Sequence, residues 1–256
     1  MAKSRRMPLA GCYVISLRPV GAHATLRAAA AARGAKVLAL SPWRVEAQQD
    51  AATRRALRDA LAADVVIATS PAAVRAASTL SSLRKRRAQV WCAVGAGTAA
   101  ALRRAGIDDV VSPSRMDSEG LLSLPELRSV RGSSIGLLTA PGGRGLIAPA
   151  LRKRGAKVLR ADVYRRIEIP FAPIVLSRMH ALCATPWLAL GSGEALQLAL
   201  ARLPAGLAAK LRKADVAAAS ERLAGAARET GFQGRIVVAA SARPRDLVAA
   251  MAAAIG

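Results

Sequence analysis

The chain of 256 residues is poor in the residue types on which several classes of protein depend. Only 3% of it is aromatic, and it has three cysteines and two histidines. Cys12, Cys92 and Cys183 have neither metal-site spacing nor the even number of a disulfide framework, so we interpret them as buried thiols in apolar strands. His23 and His180 lie too far apart in sequence to indicate a metal site.

Long apolar runs are absent as well. No stretch reaches the roughly 18 uninterrupted apolar residues of a membrane span, so we expect no membrane association. The basic N-terminus and the apolar stretch after it are similar to a signal peptide, but Arg18 and Pro19 end that stretch, and we interpret it as a first strand. We therefore expect a cytoplasmic protein.

Acidic residues are scarce, with 16 against 39 basic residues and a net charge of +23. Such a balance fits a nucleic-acid surface, a site for a small polyanion, or an arginine-rich composition without a specific partner. The basic residues are spread through predicted helices, and the densest cluster is Lys85-Arg86-Arg87 in a loop. Because no aromatic stacking motif accompanies them, we expect no specific nucleic-acid partner.

The chain contains an internal repeat. The sequence Arg-Gly-Ala-Lys-Val-Leu occupies 33–38 and again 154–159, and each copy runs into a stretch ending in Arg-Val-Glu or Arg-Ile-Glu. Downstream, 64–70 is matched by 187–192. The repeat predicts two similar lobes with a cleft between them, and clefts are where ligands bind.

Short apolar runs alternate with amphipathic helical patterns along the whole chain. This alternation predicts an α/β fold of two doubly wound parallel sheets covered by helices on both faces. Glycines at 34, 106, 155 and 231 are placed where helices end. The predicted strands are 12–17, 36–41, 64–69, 89–94, 109–112, 134–139, 157–168, 186–191, 214–219 and 235–240. The predicted helices are 22–33, 50–62, 71–80, 98–105, 118–128, 144–154, 193–202, 220–230 and 245–254.

Ligands of doubly wound sheets bind at the carboxyl ends of the strands. Five loops after predicted strands place small residues and hydroxyls directly before a helix, where free N–H groups and the helix dipole attract anions. For each hydroxyl, simple helix capping is the alternative. Five such loops together favour a site for a polyanion. They are 17–21, 69–71, 95–98, 139–144 and 191–193, with 220–222 closely related.

Other chemistries have little support in the sequence. Gly95-x-Gly97-x-x-Ala100 matches a dinucleotide motif, but it is not in the first strand–helix unit and no acidic strand end follows it. Ser192 lies between two glycines without a histidine partner for nucleophilic catalysis. An enzyme of this sequence is expected to act on a substrate that supplies most of its own reactivity.

The loops together resemble those of bacterial uroporphyrinogen-III synthases. Each motif is short, and the resemblance lies in their order and spacing over almost the whole chain. They are Arg18-Pro19, Thr69-Ser70-Pro71-x-Ala73-Val74, Val94-Gly95-x-Gly97-Thr98-Ala99-x-x-Leu102, Ser118-Glu119-Gly120-Leu121-Leu122, Gly142-Gly143-Arg144, Val163-Tyr164-Arg165-Arg166, and Ser220-Glu221-Arg222-Leu223-Ala224 before Gly231-Phe232.

The resemblance implies an interleaved domain organisation. One lobe comprises 1–41 with 170–256, the other comprises 44–166, and a two-stranded antiparallel ladder of about 40–46 and 162–169 joins them. Without the resemblance, a plain division into 1–130 and 131–256 is equally compatible with the sequence.

The resemblance also implies a function. The family closes hydroxymethylbilane, a linear tetrapyrrole polycarboxylate, to uroporphyrinogen III with loss of water and inversion of the last ring, without a cofactor or a metal. It implies Tyr164 as the catalytic residue and a monomeric enzyme. The implied substrate-binding residues are Arg18, Thr69, Ser70, Thr98, Gly143, Arg144, Ser192, Ser220 and Arg222. The alternative is a non-catalytic, two-lobed binding protein for an anionic small molecule.

Overall fold

A computed structural model describes residues 7–142 and 145–255 of the chain. Strands and helices alternate along it, and short loops connect them. The strands are β1 Tyr13–Ser16, β2 Lys36–Ala39, β3 Trp43–Ala47, β4 Val65–Ala68, β5 Val90–Ala93, β6 Ser134–Thr139, β7 Lys157–Asp162, β8 Tyr164–Glu168, β9 Trp187–Leu190, β10 Asp215–Ala218 and β11 Ile236–Val238. The helices are α1 Ala24–Ala31, α2 Ala51–Leu61, α3 Pro71–Leu80, α4 Ala96–Arg104, α5 Ser118–Leu122, α6 Ile147–Lys153, α7 Pro173–His180, α8 Gly193–Arg202, α9 Ala205–Arg212, α10 Glu221–Glu229 and α11 Pro244–Ala253, with a 3₁₀ turn at Pro125–Leu127.

The chain divides into two compact units. Unit 1 comprises Met1–Arg44 and Glu168–Gly256, and unit 2 comprises Val45–Ile167. Strands β3 and β8, which carry the chain from one unit to the other, pair in a two-stranded sheet. The backbone N–H of Gln48 donates to the carbonyl of Val163, and the backbone N–H of Ile169 donates to the carbonyl of Pro42. Residue numbers therefore rise along one strand as they fall along the other, and the pair is antiparallel.

Unit 1 is built on a parallel sheet of order β11-β10-β9-β1-β2. Successive side chains of its strands point to opposite faces. In β9, Leu188 and Leu190 therefore pack into one apolar cluster, while Trp187 and Ala189 pack into another. Helices cover both faces, because each face of the sheet carries its own buried cluster.

Unit 2 repeats this plan on a parallel sheet of order β5-β4-β6-β7. Val66 and Ala68 of β4 enter one cluster, and Val65 and Ile67 enter the other. A single parallel bridge joins Val111 to Cys92 of β5. The predicted fold class, with two similar parallel-sheet lobes and an antiparallel ladder, is therefore confirmed.

The internal repeat has a direct structural counterpart. Four neighbouring strands of unit 1, in the order β10-β9-β1-β2, correspond one by one to the strands of unit 2 in the order β5-β4-β6-β7. Gly34, after α1, and Gly155, after α6, both have positive φ angles, +87° and +83°. Glycine ends both helices because only it adopts this backbone without strain.

Several boundaries differ from the sequence prediction. The stretch 109–112 forms only the bridge at Val111, and 118–128 divides into α5 and the 3₁₀ turn. The long strand predicted at 157–168 breaks at Val163 into β7 and β8. Helices α7 and α9 were not predicted. In α7 the side chains of Val175, Leu176 and Met179 pack against the core of unit 1, but a helix of eight residues is too short a window for this spacing to be detected.

The expectation of three buried thiols is wrong for two of them. Cys92 is buried in β5, but Cys12 is half-buried and Cys183 is exposed, because each of the latter lies outside a strand. Burial raises the pKa of the Cys92 thiol to about 12, with a smaller contribution from Glu126, so this thiol stays protonated at neutral pH. No helix within the described part of the chain is long and apolar enough to cross a membrane.

Candidate functional site

A pocket of about 200 Å³ opens at the carboxyl edge of the unit 2 sheet. It forms there because the carboxyl ends of parallel strands and the amino ends of the following helices meet at the same edge of a sheet. Its polar lining comes from the loops after β4 and β6, from the start of α5 and from β7 and β8. The polar side chains in its wall are Thr69, Ser70, Ser118, Thr139, Arg160, Tyr164 and Arg166.

Tyr164 and Ser70 form the central contact of this pocket. Tyr164 begins β8 and is only 4% exposed. Its hydroxyl lies 3.2 Å from the Ser70 hydroxyl, and the backbone N–H of Ala73 donates to the same Ser70 oxygen at 3.1 Å. Ser70 is thus the N-cap of α3, and its hydroxyl connects the tyrosine to the positive end of that helix.

A second polar group lies along β7 and the loop after β6. Arg160 binds both carboxylate oxygens of Asp162 at 2.9–3.1 Å and donates to the carbonyl of Ala140 at 3.1 Å. The Thr69 hydroxyl donates to Thr139 Oγ1 at 3.0 Å. These bonds fix the pocket wall and leave hydroxyl groups and guanidinium N–H groups in it.

The structure brings together some of the residues predicted from sequence. Thr69, Ser70 and Tyr164 line one pocket. Thr98, by contrast, is 4% exposed inside α4, its N–H bonds the carbonyl of Gly95, and it does not line the pocket. Gly143 and Arg144 lie outside the described residues.

Of the pocket wall, sequence reasoning missed Arg160 altogether. It placed Thr139 in a predicted anion-binding loop, and Ser118 and Arg166 in family motifs, without naming them as binding residues. The detectable signal for Arg160 was the Arg-x-Asp pattern of 160–162. Residues two apart on a strand point to the same face, which predicts an ion pair there.

The remaining predicted residues lie in unit 1, again after strands. Ser192 is the N-cap of α8 and accepts the N–H of Ala195 at 3.2 Å, while Ser220 is the N-cap of α10 without a side-chain cap bond. The Arg222 guanidinium lies 3.9 Å from the position that a Cβ would take at Gly193. The loops after β9 and β10 are therefore neighbours.

Arg18, in the loop after β1, is partly buried, and this burial lowers the pKa of its guanidinium. Within residues 7–142 and 145–255, no hydrogen bond or ion pair engages the guanidinium of Arg18 or Arg222. A partly buried guanidinium stays charged at neutral pH and carries five N–H donors. Both groups are therefore available to an anion.

The described residues contain no group of three His, Cys, Asp or Glu side chains arranged to hold a metal ion. What the carboxyl edges do provide is phenol, hydroxyl, helix amino ends and guanidinium groups. This set can bind carboxylates and donate a proton to a leaving oxygen.

Comparison with known proteins assigns the family. The model of the uroporphyrinogen-III synthase HemD family matches residues 24–253. The uroporphyrinogen-III synthase of Escherichia coli K12 is 33% identical over 186 residues, which cover 69% of this chain and 76% of that protein. The chain belongs to the uroporphyrinogen-III synthase family. The synthase of Salmonella typhimurium LT2 is 35% identical over 146 residues, or 56% of this chain and 59% of that protein.

Solved structures support the fold of a uroporphyrinogen-III synthase. A mutant synthase from the extremely thermophilic bacterium Thermus thermophilus has a TM-score of 0.61 at 22% identity, covering 95% of this chain and 98% of that one. The uroporphyrinogen-III synthetase of Helicobacter pylori 26695 also has a TM-score of 0.61, at 13% identity, covering 96% and 100%. Uroporphyrinogen-III synthases are cyclising hydro-lyases of heme biosynthesis, and no comparison favours the alternative of a non-catalytic binding protein.

Proposed function

We propose that this chain closes hydroxymethylbilane to uroporphyrinogen III, and that Tyr164 is the catalytic residue that assists departure of the terminal hydroxyl. The observation that carries this proposal is the Tyr164 hydroxyl, bonded to Ser70 at 3.2 Å in the wall of a pocket lined by hydroxyl and guanidinium groups. At about 200 Å³ the pocket is smaller than the roughly 300–1,000 Å³ of sites that enclose a drug-sized ligand. It accordingly accepts one end of the tetrapyrrole rather than the whole molecule.

The contact between Ser70 and Tyr164 allows either hydroxyl to donate, and we propose that Ser70 is the donor. Because the Ser70 oxygen already accepts the N–H of Ala73, its own proton is available to donate to the Tyr164 oxygen. The phenolic proton is then free to point into the pocket, toward the leaving hydroxyl of the substrate. The positive end of α3, acting through Ser70, stabilises the negative charge that develops on the phenol as it gives up that proton.

The substrate supplies the remaining driving force. The lone pair of the terminal pyrrole nitrogen expels the hydroxyl as water and leaves an electrophilic azafulvene. Attack on this carbon by the substituted position of the last ring, through a spiro intermediate, inverts that ring. Ring closure releases a proton, which restores the phenol, so the reaction as a whole loses only water. Selection of the attacking carbon is catalysis by orientation.

The same proposal assigns the carboxylates of the substrate to the ends of the strands. In unit 2 they are bound by Thr69, Ser70 and, from the sequence resemblance, Gly143 and Arg144. For Thr98, which is buried in α4 and does not line the pocket, we propose no contact with the substrate. In unit 1 they are bound by Arg18, Ser192, Ser220 and Arg222. Support comes from the two guanidinium groups of unit 1 that have no anionic partner among the described residues. We further propose that the protein is cytoplasmic. We also propose that it is a monomer, because one chain supplies all of these groups, and sedimentation velocity tests the monomer.

The first experiment tests the reaction itself. The purified protein is given freshly generated hydroxymethylbilane, the products are oxidised, and the uroporphyrin isomers are separated. We expect mostly the type III isomer. Formation of type I alone, at the uncatalysed rate, would contradict the proposed activity.

A second experiment tests Tyr164. Removing the phenolic oxygen in Tyr164→Phe should lower kcat by about 100-fold, the lower end for acid–base assistance, with a smaller change in KM. Tyr13→Phe in β1 is the matched control, since it removes the hydroxyl of the other tyrosine in the chain. An unchanged kcat in Tyr164→Phe would remove this residue from the mechanism.

A third experiment separates the two serine caps. Ser70 and Ser192 each cap a helix that follows a central strand, but only Ser70 contacts a tyrosine. Ser70→Ala should therefore lower kcat, whereas Ser192→Ala should raise KM by a few-fold and leave kcat nearly unchanged. Equal effects of both variants on kcat would show that the contact with Tyr164 has no role in proton transfer.

A further inference from the structure

A buried histidine holds the loop that carries Arg18. His23 is 3% exposed, and both of its ring nitrogens are used. Nδ1 lies 2.9 Å from the hydroxyl of Ser16, and Nε2 lies 2.8 Å from the hydroxyl of Ser41. Ser16 is the last residue of β1 and Ser41 follows β2. One imidazole therefore ties together the ends of two neighbouring strands and the start of α1.

Ser16 and His23 flank the segment 17–22, which contains Arg18. The bond between their side chains closes this segment at its base. Within it, Pro19 restricts the backbone of Arg18 to extended conformations, and the N–H of Ala22 donates to the carbonyl of Pro19. The N–H of Val20 also donates to the carbonyl of Trp43. The backbone that carries the Arg18 guanidinium is thus fixed from both sides.

The charges around the imidazole match this arrangement. The cationic groups that act on His23 are Arg18 in the loop and Arg27 on α1, and both lower its pKa, after the larger effect of burial. The imidazole is therefore neutral at neutral pH, with one nitrogen donating and the other accepting. A neutral ring can bond two hydroxyls without adding a third positive charge beside Arg18.

We propose that His23 is a positioning residue, which holds the Arg18 guanidinium where it binds a carboxylate of the substrate. This inference rests on the proposed function, in which Arg18 is a substrate-binding residue. A role confined to stability would lower the melting temperature alone. The positioning role predicts in addition a rise in KM that depends on Arg18.

The test is a double-mutant cycle on KM and kcat with Arg18→Gln, His23→Phe and the double variant. Arg18→Gln should raise KM about 10-fold or more, as loss of a charged hydrogen bond does, with kcat changed less than about 2-fold. His23→Phe should raise KM by about 5-fold in the wild-type background and by less than about 2-fold in the Arg18→Gln background. His180→Phe, at the exposed end of α7, is the control and should leave KM unchanged.

The outcomes separate the two proposals. If Arg18→Gln raises KM but the effect of His23→Phe is the same in both backgrounds, His23 does not act through Arg18 and the inference is wrong. If Arg18→Gln leaves KM unchanged, Arg18 does not bind substrate, and the role of Arg18 in the proposed function fails together with the inference. Should His23→Phe not fold, Ser41→Ala replaces it in the cycle, because it removes one of the two imidazole bonds and leaves the ring in place.

Discussion

The buried histidine of unit 1 makes the stability of that unit depend on pH in a range where few other groups titrate. Burial, Arg27 and Arg18 lower the pKa of His23 from 6.5 to about 4. Since the unfolded chain binds this proton near pH 6.5 and the folded chain only near pH 4, the unfolded state takes up more protons between those values. Stability is therefore complete above about pH 7 and is lost as the pH falls toward 4.

The size of the effect follows from the two pKa values. A difference of 2.5 units corresponds to about 3 kcal/mol over the full range, because each unit is worth about 1.4 kcal/mol. About 2 kcal/mol of this falls between pH 7 and pH 5. Three carboxyl groups have pKa values that are lowered mainly by hydrogen bonds, and they titrate below the range from pH 7 to pH 5. They are Asp50, Asp64 and Asp109, and all three lie in unit 2.

The assay is urea unfolding followed by tryptophan fluorescence in a Trp91→Phe background. The remaining tryptophans, Trp43 and Trp187, are both in unit 1, so the signal reports that unit. We expect the free energy of unfolding to fall by about 2 kcal/mol from pH 7 to pH 5. In His23→Phe the fall should be less than about 0.5 kcal/mol, although the variant is less stable at pH 7.

His180→Phe serves as the control, because it removes the other histidine in the chain and leaves the bonds of His23 to Ser16 and Ser41 intact, so the decline between pH 7 and pH 5 should persist. If His23→Phe kept the full decline between pH 7 and pH 5, the titrating group would be elsewhere. The assignment of a neutral His23 would then be refuted, and with it the electrostatic basis for its bonds to Ser16 and Ser41.

Three further predictions concern the packing of unit 2 and of α10. A Cβ at Gly136 would lie 1.9 Å from the carbonyl oxygen of Ala60, so Gly136→Ala should lower the free energy of unfolding, measured by urea titration, by about 3 kcal/mol. Gly225 in α10 has open space around it, so Gly225→Ala should raise the free energy of unfolding by about 0.5–1 kcal/mol. The Gln89 amide donates to two carbonyls and accepts the Trp91 indole N–H at 2.9 Å; Gln89→Leu leaves these buried groups unpaired and should lower the free energy of unfolding by about 3 kcal/mol. A loss below about 1 kcal/mol in either destabilising variant would contradict the packing described.

Much of the fold is predictable from sequence because its signals are local. Helices α3 and α8 begin and end where the sequence predicts, since each is preceded by a serine cap and carries a regular apolar stripe. Helix α9 was missed because it follows α8 after only Leu203 and Pro204, and a proline so close to the end of a helix indicates a turn. The local pattern predicts the elements, but the interleaved order of the two units came from the family resemblance.

The candidate site, like the fold, has features that the sequence predicts and features that it does not. The post-strand loops are predictable because parallel strands bring all their carboxyl ends to one edge. The bonds of His23 to Ser16 and Ser41 span 7 and 18 positions, and no periodic pattern of the sequence connects those residues. The contact between Ser70 and Tyr164 spans 94 positions and was equally hidden, although each residue was predicted separately.

The repeat explains how one architecture can supply two different chemical tasks. Ser70 and Ser192 occupy matching positions after β4 and β9, and both cap a helix through their hydroxyl oxygens. The strands that connect the units begin with different residues, Tyr164 in β8 and Trp43 in β3, each 4% exposed. The duplicated frame thus provides a serine-capped helix end in each unit, but only one of the two connecting strands, β8, begins with a phenol. For this reason the proposed proton transfer belongs to unit 2, while unit 1 contributes the unpaired guanidinium groups that suit a polycarboxylate.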